Sequence, residues 1–391
     1  MWYVLLALAV FGLITSTVFA GMVLAAVPRY LRERKMADAE LRKRPGFTPP
    51  MTLLKPLAGA EPDLEEHLAS FFEQDYPDFE ILFCARELSD SGLEIARKVA
   101  ARYPRVPAKF FSTGEPAYIN AKVASLELME KSAAHDILVI SDSDVRVTPD
   151  YLRAVALPFA DENVGGMCCP YRGIAAGGGL WARLEAVGMS VEMTSGVLVA
   201  RMVEGMQFVL GPTMAFRREV IRQIGGFKIT ADYCADDFLL GNETYKLGRA
   251  VVLSHHPIDH IVINLSPMAS LKHQVRWMKS TRFSRPKGHF GAVLTFGVPF
   301  ALLGLVSGIP LGHIGWGVAL LSWAIATRLA MSIGVGRMVV RDPSWLNLLV
   351  LYPVRDLTGS LVWAASYMGS RILWRGRKLQ LLPGGKMRAA E

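Results

Sequence analysis

No charged side chain occurs in the first 28 residues, and that run fixes where the rest of the chain must sit. Residues 1–28 are rich in Leu, Val, Ala and Phe, and exceed the roughly 20 residues a helix needs to cross a hydrocarbon core. A cleaved leader would open with a basic region and a shorter apolar stretch, so these residues are expected to form a retained transmembrane helix. Arg29, Arg32, Arg34, Lys35, Arg42, Lys43 and Arg44 follow at once. By the positive-inside rule, residues 29–48 are a basic cytoplasmic linker and the chain up to the next span faces the cytoplasm. The formal charge of +8 then points to an anionic leaflet. Nucleic acid is argued against by the lack of zinc spacing, RNA-binding signature or basic–aromatic repeat.

Residues 290–327 are again free of Asp, Glu, Lys and Arg. Extended past the single Arg328, residues 290–336 hold two spans folded back near Pro310 and Gly312. A last apolar region, 345–368, is interrupted by Pro353, Arg355 and Asp356. A charged pair at mid-depth is costly. A full crossing would also carry Arg371, Arg375, Arg377 and Lys378 outside. The expectation is a re-entrant or interfacial hairpin, followed by a basic tail over 371–391.

Between the membrane blocks, residues 49–265 alternate short apolar runs with amphipathic stretches, the pattern of an α/β sheet. Strands are expected at 51–54, 79–84, 108–111, 137–141 and 165–168, and helices at 62–74, 91–103 and 119–131. Ligands of such sheets sit beyond the carboxyl ends of the strands. Acidic residues gather there: Glu87 and Asp90 after the second run, Asp142-Ser143-Asp144 directly after the fourth, and Asp236-Asp237 further on.

Asp142 and Asp144 offer hard oxygen ligands to Mg²⁺ or Mn²⁺, which would hold a diphosphate; the same residues also suit a solvated, capped turn. Asp236-Asp237 suits either helix capping or a general base. His273-Gln274-Val275-Arg276-Trp277 lies in an amphipathic interfacial segment, 266–289. Arg276 can grip phosphate while Trp277 packs at the interface, but an ordinary membrane-surface helix explains the same residues. Lys55 and Lys122 either steer a diphosphate or are plain surface lysines. Gly177-Gly178-Gly179 lacks the setting of a P-loop and reads as a flexible turn. His255, His256 and His260 lack metal-ligand spacing and read as structural. Cys84, Cys168, Cys169 and Cys234 form no Cys-x-x-Cys pair and read as buried thiols.

One ordered set of motifs runs from about residue 50 to residue 287. It comprises Leu53-Leu54-Lys55-Pro56-Leu57, Phe71-Phe72-Glu73-Gln74-Asp75-Tyr76-Pro77, Ile119-Asn120-Ala121-Lys122, Asp142-Ser143-Asp144-Val145-Arg146-Val147 and Asp236-Asp237. Together they resemble the ceramide glucosyltransferase family, glycosyltransferase family 21. The resemblance implies a GT-A type mixed sheet flanked by helices, with an N-terminal transmembrane helix and C-terminal transmembrane segments. It implies Asp90 at the nucleotide, Asp142 at the metal–diphosphate and Asp237 as catalytic base. Arg276 and Trp277 match the closing motif, whereas His273 replaces its leading Gln or Arg. Asp144 stands where animal ceramide enzymes tend to carry a small residue. Bacterial members associated with hopanoid synthesis look similar too, notably over Ser284-Arg285-Pro286-Lys287-Gly288-His289.

The implied activity is inverting transfer from a UDP-sugar to a lipid hydroxyl, of ceramide or hopanoid type, at the cytoplasmic side of a bacterial inner membrane. A processive polysaccharide synthase shares the core and closing motif, but needs a channel that two or three spans after the catalytic domain do not provide. A non-catalytic scaffold binding nucleotide sugar or lipid is argued against by the joint presence of Asp90, Asp142 and Asp237.

Overall fold

The computed structural model describes residues 1–263, 266–374 and 376–390. The expected domain boundary at Leu265 and the tail cation Arg375 lie outside the described residues. The described residues hold thirteen strands. The first seven are β1 (Met51–Pro56), β2 (Phe79–Ala85), β3 (Ala108–Ser112), β4 (Ile137–Ser141), β5 (Val145–Arg146), β6 (Val164–Cys168) and β7 (Tyr171–Ala175). Then come β8 (Thr213–Arg217), β9 (Ala250–Leu253), β10 (Ile258–Val262), β11 (Arg371–Trp374), β12 (Arg377–Leu381) and β13 (Met387–Ala389).

Seven of them form one mixed sheet in the order β3-β2-β1-β4-β8-β6-β9. β1 to β4 pair in parallel, and β8 enters antiparallel to both β4 and β6. β2 and β4 are buried along their whole length, which is why they read as continuous apolar runs rather than alternating ones. Helices Leu64–Phe72, Ser91–Arg102 and Ala121–Ser132 stand near the expected places. Sequence reading missed β8, whose Thr-Met-Ala-Phe-Arg run shows no period-2 alternation. It also missed the side sheet β5-β10-β7.

Three membrane-side features differ from expectation. The apolar run and the basic linker are one helix, Trp2–Lys43, not a helix and a linker. Its basic half is rich in helix formers and carries Arg29–Glu33 and Glu40–Arg44 pairs four residues apart, so nothing ends the helix at Pro28. Arg34 then donates to the carbonyls of Met338 and Val339, docking this helix on the end of the later span Ile314–Val339.

Residues 345–368 do not form a hairpin: Trp345–Ala365 is one helix that runs through Pro353. The feared charges are matched separately. Asp356 meets Arg328 at 2.8 Å and accepts from the amides of Gly297 and Val298, while Arg355 meets Glu192 at 2.7 Å. Both ends of this helix are tied to the α/β body, through Asp342 to Ser190 before it and Arg282 to the Ser366 carbonyl after it. The tail that follows packs back against the body, with Lys279 donating to the Arg371 carbonyl at 3.0 Å. That tail is folded, with β11, β12 and β13 forming an antiparallel sheet.

A further apolar helical stretch, Leu180–Glu204, lies inside the region expected to be purely soluble. It is long and apolar enough to cross a membrane, yet more than half of it is packed against the body. Three helices meet that standard of length and composition among the described residues, or four if Pro286–Thr295 and Val298–Gly308, bent by 50°, count as one.

Candidate active site

β4 ends at the carboxyl edge of the main sheet and delivers Asp142 and Asp144 into a cleft of about 550 Å³. The same cleft is walled by Asp90, Lys122, Asp236 and Asp237, and on the far side by His273, Arg276 and Trp277. Nine of the ten site residues named from the sequence thus share one space. Lys55 is the exception.

Lys55 sits on β1 beside the end of β4 and is fully buried. Its ammonium lies 3.7 Å over the Phe71 ring and donates to the Asp142 carbonyl at 2.7 Å. It therefore does not wall the cleft; it holds the floor from below, because a lysine on a strand interior points into the core. Burial drives its pKa down to about 7, with Asp142 and Asp144 opposing the shift.

Asn120 caps the next helix by accepting from the Lys122 amide, and its own amide group donates to the Tyr233 carbonyl. Lys122 is thereby aimed at two acids from distant motifs, with Nζ 2.7 Å from Asp142 Oδ1 and 3.6 Å from Asp236 Oδ2. Burial works against the Lys122 charge, but Asp142 and then Asp236 outweigh it and raise its pKa. Burial lifts the Asp142 carboxyl above its ordinary range in spite of Lys122.

Asp237 opens the helix Asp236–Lys246. Its two oxygens accept from the amides of Gly211 and Phe238, each at 2.8 Å. A Cβ on Gly211 would stand 2.9 Å from Asp237 Oδ2, so the approach depends on glycine there. Burial first and Asp236 second push the Asp237 pKa up to about 6, while the two amide bonds restrain the rise. A carboxylate so placed can take up a proton near neutral pH.

Asp144 has a partner that sequence reading missed. His260 Nε2 lies 3.1 Å from Asp144 Oδ2, and the imidazole stacks on the Trp277 indole with centroids 5.9 Å apart. Burial alone would raise Asp144, but His260 outweighs it and holds the carboxyl at about 2. Burial alone would lower His260, and Asp144 reverses that sign. No spacing signals this pair, since the two residues meet only where β10 runs antiparallel to β5.

Asp90 lines the wall, yet its carboxylate is engaged by backbone. It caps the helix Ser91–Arg102 through the amides of Gly92 and Leu93 and also accepts from Gly59, joining the loop after β1 to that helix. The helix Pro267–Ser284 starts at Ser266, whose hydroxyl accepts from the Ala269 amide. Its residues His273, Arg276, Trp277, Ser280 and Thr281 follow helical spacing and present one face to the cleft. His273 Nδ1 meets the buried Glu185 at 2.5 Å, and Arg276 lies over the Trp374 ring at 5.9 Å.

A divalent cation fits these residues. Asp144 Oδ1 is buried without a hydrogen-bond partner, and Asp142 flanks the same space with hard oxygen donors. No group of three His, Cys, Asp or Glu side chains is preassembled for a metal among the described residues. A cation here would complete its shell with diphosphate oxygens and water, as Mg²⁺ characteristically does.

Paired acids, a lysine and an arginine around a cleft at the carboxyl ends of a mixed sheet, on a body bearing apolar helices, are the arrangement that the sequence resemblance implied for a glycosyltransferase of the GT-A type. The family comparison agrees. The family model for glycosyl transferase family 21 matches residues 8–387, so the chain belongs to glycosyltransferase family 21. It is similar to ceramide glucosyltransferase 1 of Caenorhabditis elegans, 22% identical over 350 residues that cover 88% of this chain and 74% of that one. Ceramide glucosyltransferase 3 of the same organism is 24% identical over 355 residues, covering 88% and 75%. Among solved structures, the mannosyltransferase PcManGT from Pyrobaculum calidifontis, in complex with GDP-Man and Mn²⁺, is 19% identical; the likeness covers 91% of this chain and 99% of that one at a TM-score of 0.48.

Proposed function

We propose that the chain transfers a sugar from a UDP-sugar to the hydroxyl of a membrane lipid, of ceramide or hopanoid type, with inversion, at the cytoplasmic face of a bacterial inner membrane. The observation that carries this reading is the convergence of Asp142, Lys122, Asp236 and Asp237 on one cleft that an apolar helix also enters. Met193 of Leu180–Glu204 lines the cleft, while Leu180, Trp181 and Val203 of the same stretch are exposed. An exposed apolar side chain at the cleft, such as Met193, suits the approach of a lipid acceptor.

In the proposed reaction, Asp237 accepts the proton of the acceptor hydroxyl as its oxygen attacks the anomeric carbon. The bond from that carbon to the diphosphate oxygen breaks, and UDP departs with the electron pair. A single displacement inverts the anomer. Lys122 and Arg276 both line the cleft, and in this reading they stabilise the charge that develops on the leaving group, as fixed charges do without reorganising. Asp142 and Asp144 would hold Mg²⁺ or Mn²⁺, which when bound supplies charge neutralisation to the diphosphate. His260 keeps Asp144 ionised for that task.

The test is full-length protein in nanodiscs, supplied with a panel of UDP-sugars and with ceramide, hopanoid or diacylglycerol acceptors, followed by mass spectrometry. A new glycolipid supports the reading. Soluble polymer would point to a synthase, and nucleotide binding without turnover to a scaffold.

A further inference from the structure

The sequence marks 371–391 only as a basic tail. Instead, β11, β12 and β13 form a small sheet whose buried Ile372, Leu379, Leu381 and Met387 pack with Ile119, Cys234 and Phe283. It is fastened to the segment that leads into Asp236-Asp237. The Met387 amide donates to the Asp232 carbonyl at 2.6 Å, and Tyr233 bridges Lys386. Lys279 of the motif helix donates to the Arg371 carbonyl at 3.0 Å. From this anchorage, Trp374, Arg377 and Leu379 form part of the cleft wall.

Two contacts hold the tip of the hairpin at the mouth, where Trp374 and Arg377 are cross-strand partners. On one side, the Arg276 guanidinium lies 5.9 Å from the centroid of the Trp374 ring. On the other, Arg377 reaches Glu115 at 2.7 Å, and Glu115 also pairs with Arg86. Arg86 and Asp90 lie just beyond the carboxyl end of β2, so the tip stands between the motif helix and the β2 edge. An arginine stem is flexible, and an aromatic face against its planar head narrows the orientations it samples.

We infer that the C-terminal sheet completes the donor site: Trp374 is a positioning residue that aims Arg276 at the diphosphate, and the Arg377–Glu115 pair latches the hairpin over the nucleotide. The inference rests on the nucleotide-sugar reading above. It adds a third chain segment to the donor site, one that lies outside every motif read from the sequence.

The experiment measures UDP affinity by calorimetry, and donor KM and kcat, for full-length protein in nanodiscs carrying Trp374→Ala, Trp374→Phe, Trp374→Leu or Arg377→Gln. Trp374→Ala and Trp374→Leu should each weaken UDP binding by roughly 3- to 30-fold, the span set by a cation–π contact, and lower kcat/KM for the donor alongside. Trp374→Phe should restore most of both. Arg377→Gln, at an exposed position, should raise the donor KM several-fold at unchanged kcat. Leucine keeps an apolar wall, so it decides the matter if the alanine variant does not fold. Folded Trp374→Leu and Arg377→Gln proteins that bind UDP within about twofold of the parent would overturn the inference. A parent protein that binds no UDP would instead overturn the nucleotide-sugar reading itself.

Discussion

The Lys122 ammonium stands 2.7 Å from the Asp142 carboxylate and 3.6 Å from that of Asp236. One cation thus joins the acid that ends β4 to the acid pair that opens Asp236–Lys246, two motifs with no local connection. Removing it would leave the buried Asp236 and the half-buried Asp142 without the cation between them. Lys122→Met is expected to lower transfer by at least about 100-fold and to weaken UDP binding, since a buried charge left uncompensated is costly. Calorimetry and a radiolabelled transfer assay check both effects.

Asp237 accepts two backbone amides and faces the cleft, so Asp237→Asn changes the proton acceptor with little change of shape. It is expected to bind UDP at near-parental affinity while transfer falls by roughly 100- to 10,000-fold, the range for loss of a general base. Near-normal turnover in that variant would remove Asp237 from the role.

The raised pKa of Asp237 sets a pH dependence. A base acts only when ionised, so transfer is expected to be low below pH 6, to rise through about 6 and then to level off. Asp144, held at about 2, stays ionised throughout that window and contributes no break there. An initial-rate profile from pH 5 to 8 with saturating donor measures the midpoint; a flat profile would contradict the assignment.

Chelation is expected to stop transfer, and Mg²⁺ or Mn²⁺ to restore it, if the unpartnered Asp144 Oδ1 and Asp142 hold a cation. Asp144→Asn should then require roughly tenfold more metal for half-maximal rate, since it removes one hard charged ligand. Full turnover in EDTA would exclude both carboxylates from that task.

Arg328 is completely buried against Asp356 and also donates to Ser16 and the Thr295 carbonyl. Arg328→Met strands the Asp356 charge and is expected to cost about 3–5 kcal/mol, seen as a lower melting temperature in detergent. Arg328→Met with Asp356→Asn should recover part of that loss, because the stranded charge is gone while a side-chain acceptor for the Gly297 and Val298 amides remains.

Local chemistry made much of this protein legible in its sequence. The charge-free opening run, the buried β1, β2 and β4, and the acids after them follow from apolar runs and polar punctuation, which the linear order records directly. Motif order was enough to name the family. Asp142 stood out at a strand end, whereas Asp237, Arg276 and Trp277 stayed ambiguous by spacing and were singled out by the motif order; the fold brings all four to one cleft. Tertiary structure decided the rest. Lys55 went beneath the site rather than into it, because a strand alternates its faces and neighbouring β4 supplied the carbonyl. His260 joined Asp144, Arg328 matched Asp356 and the tail folded over the cleft only because distant segments met. Pairings of that kind depend on which surfaces the sheet order brings together, and no local pattern of residues encodes that order.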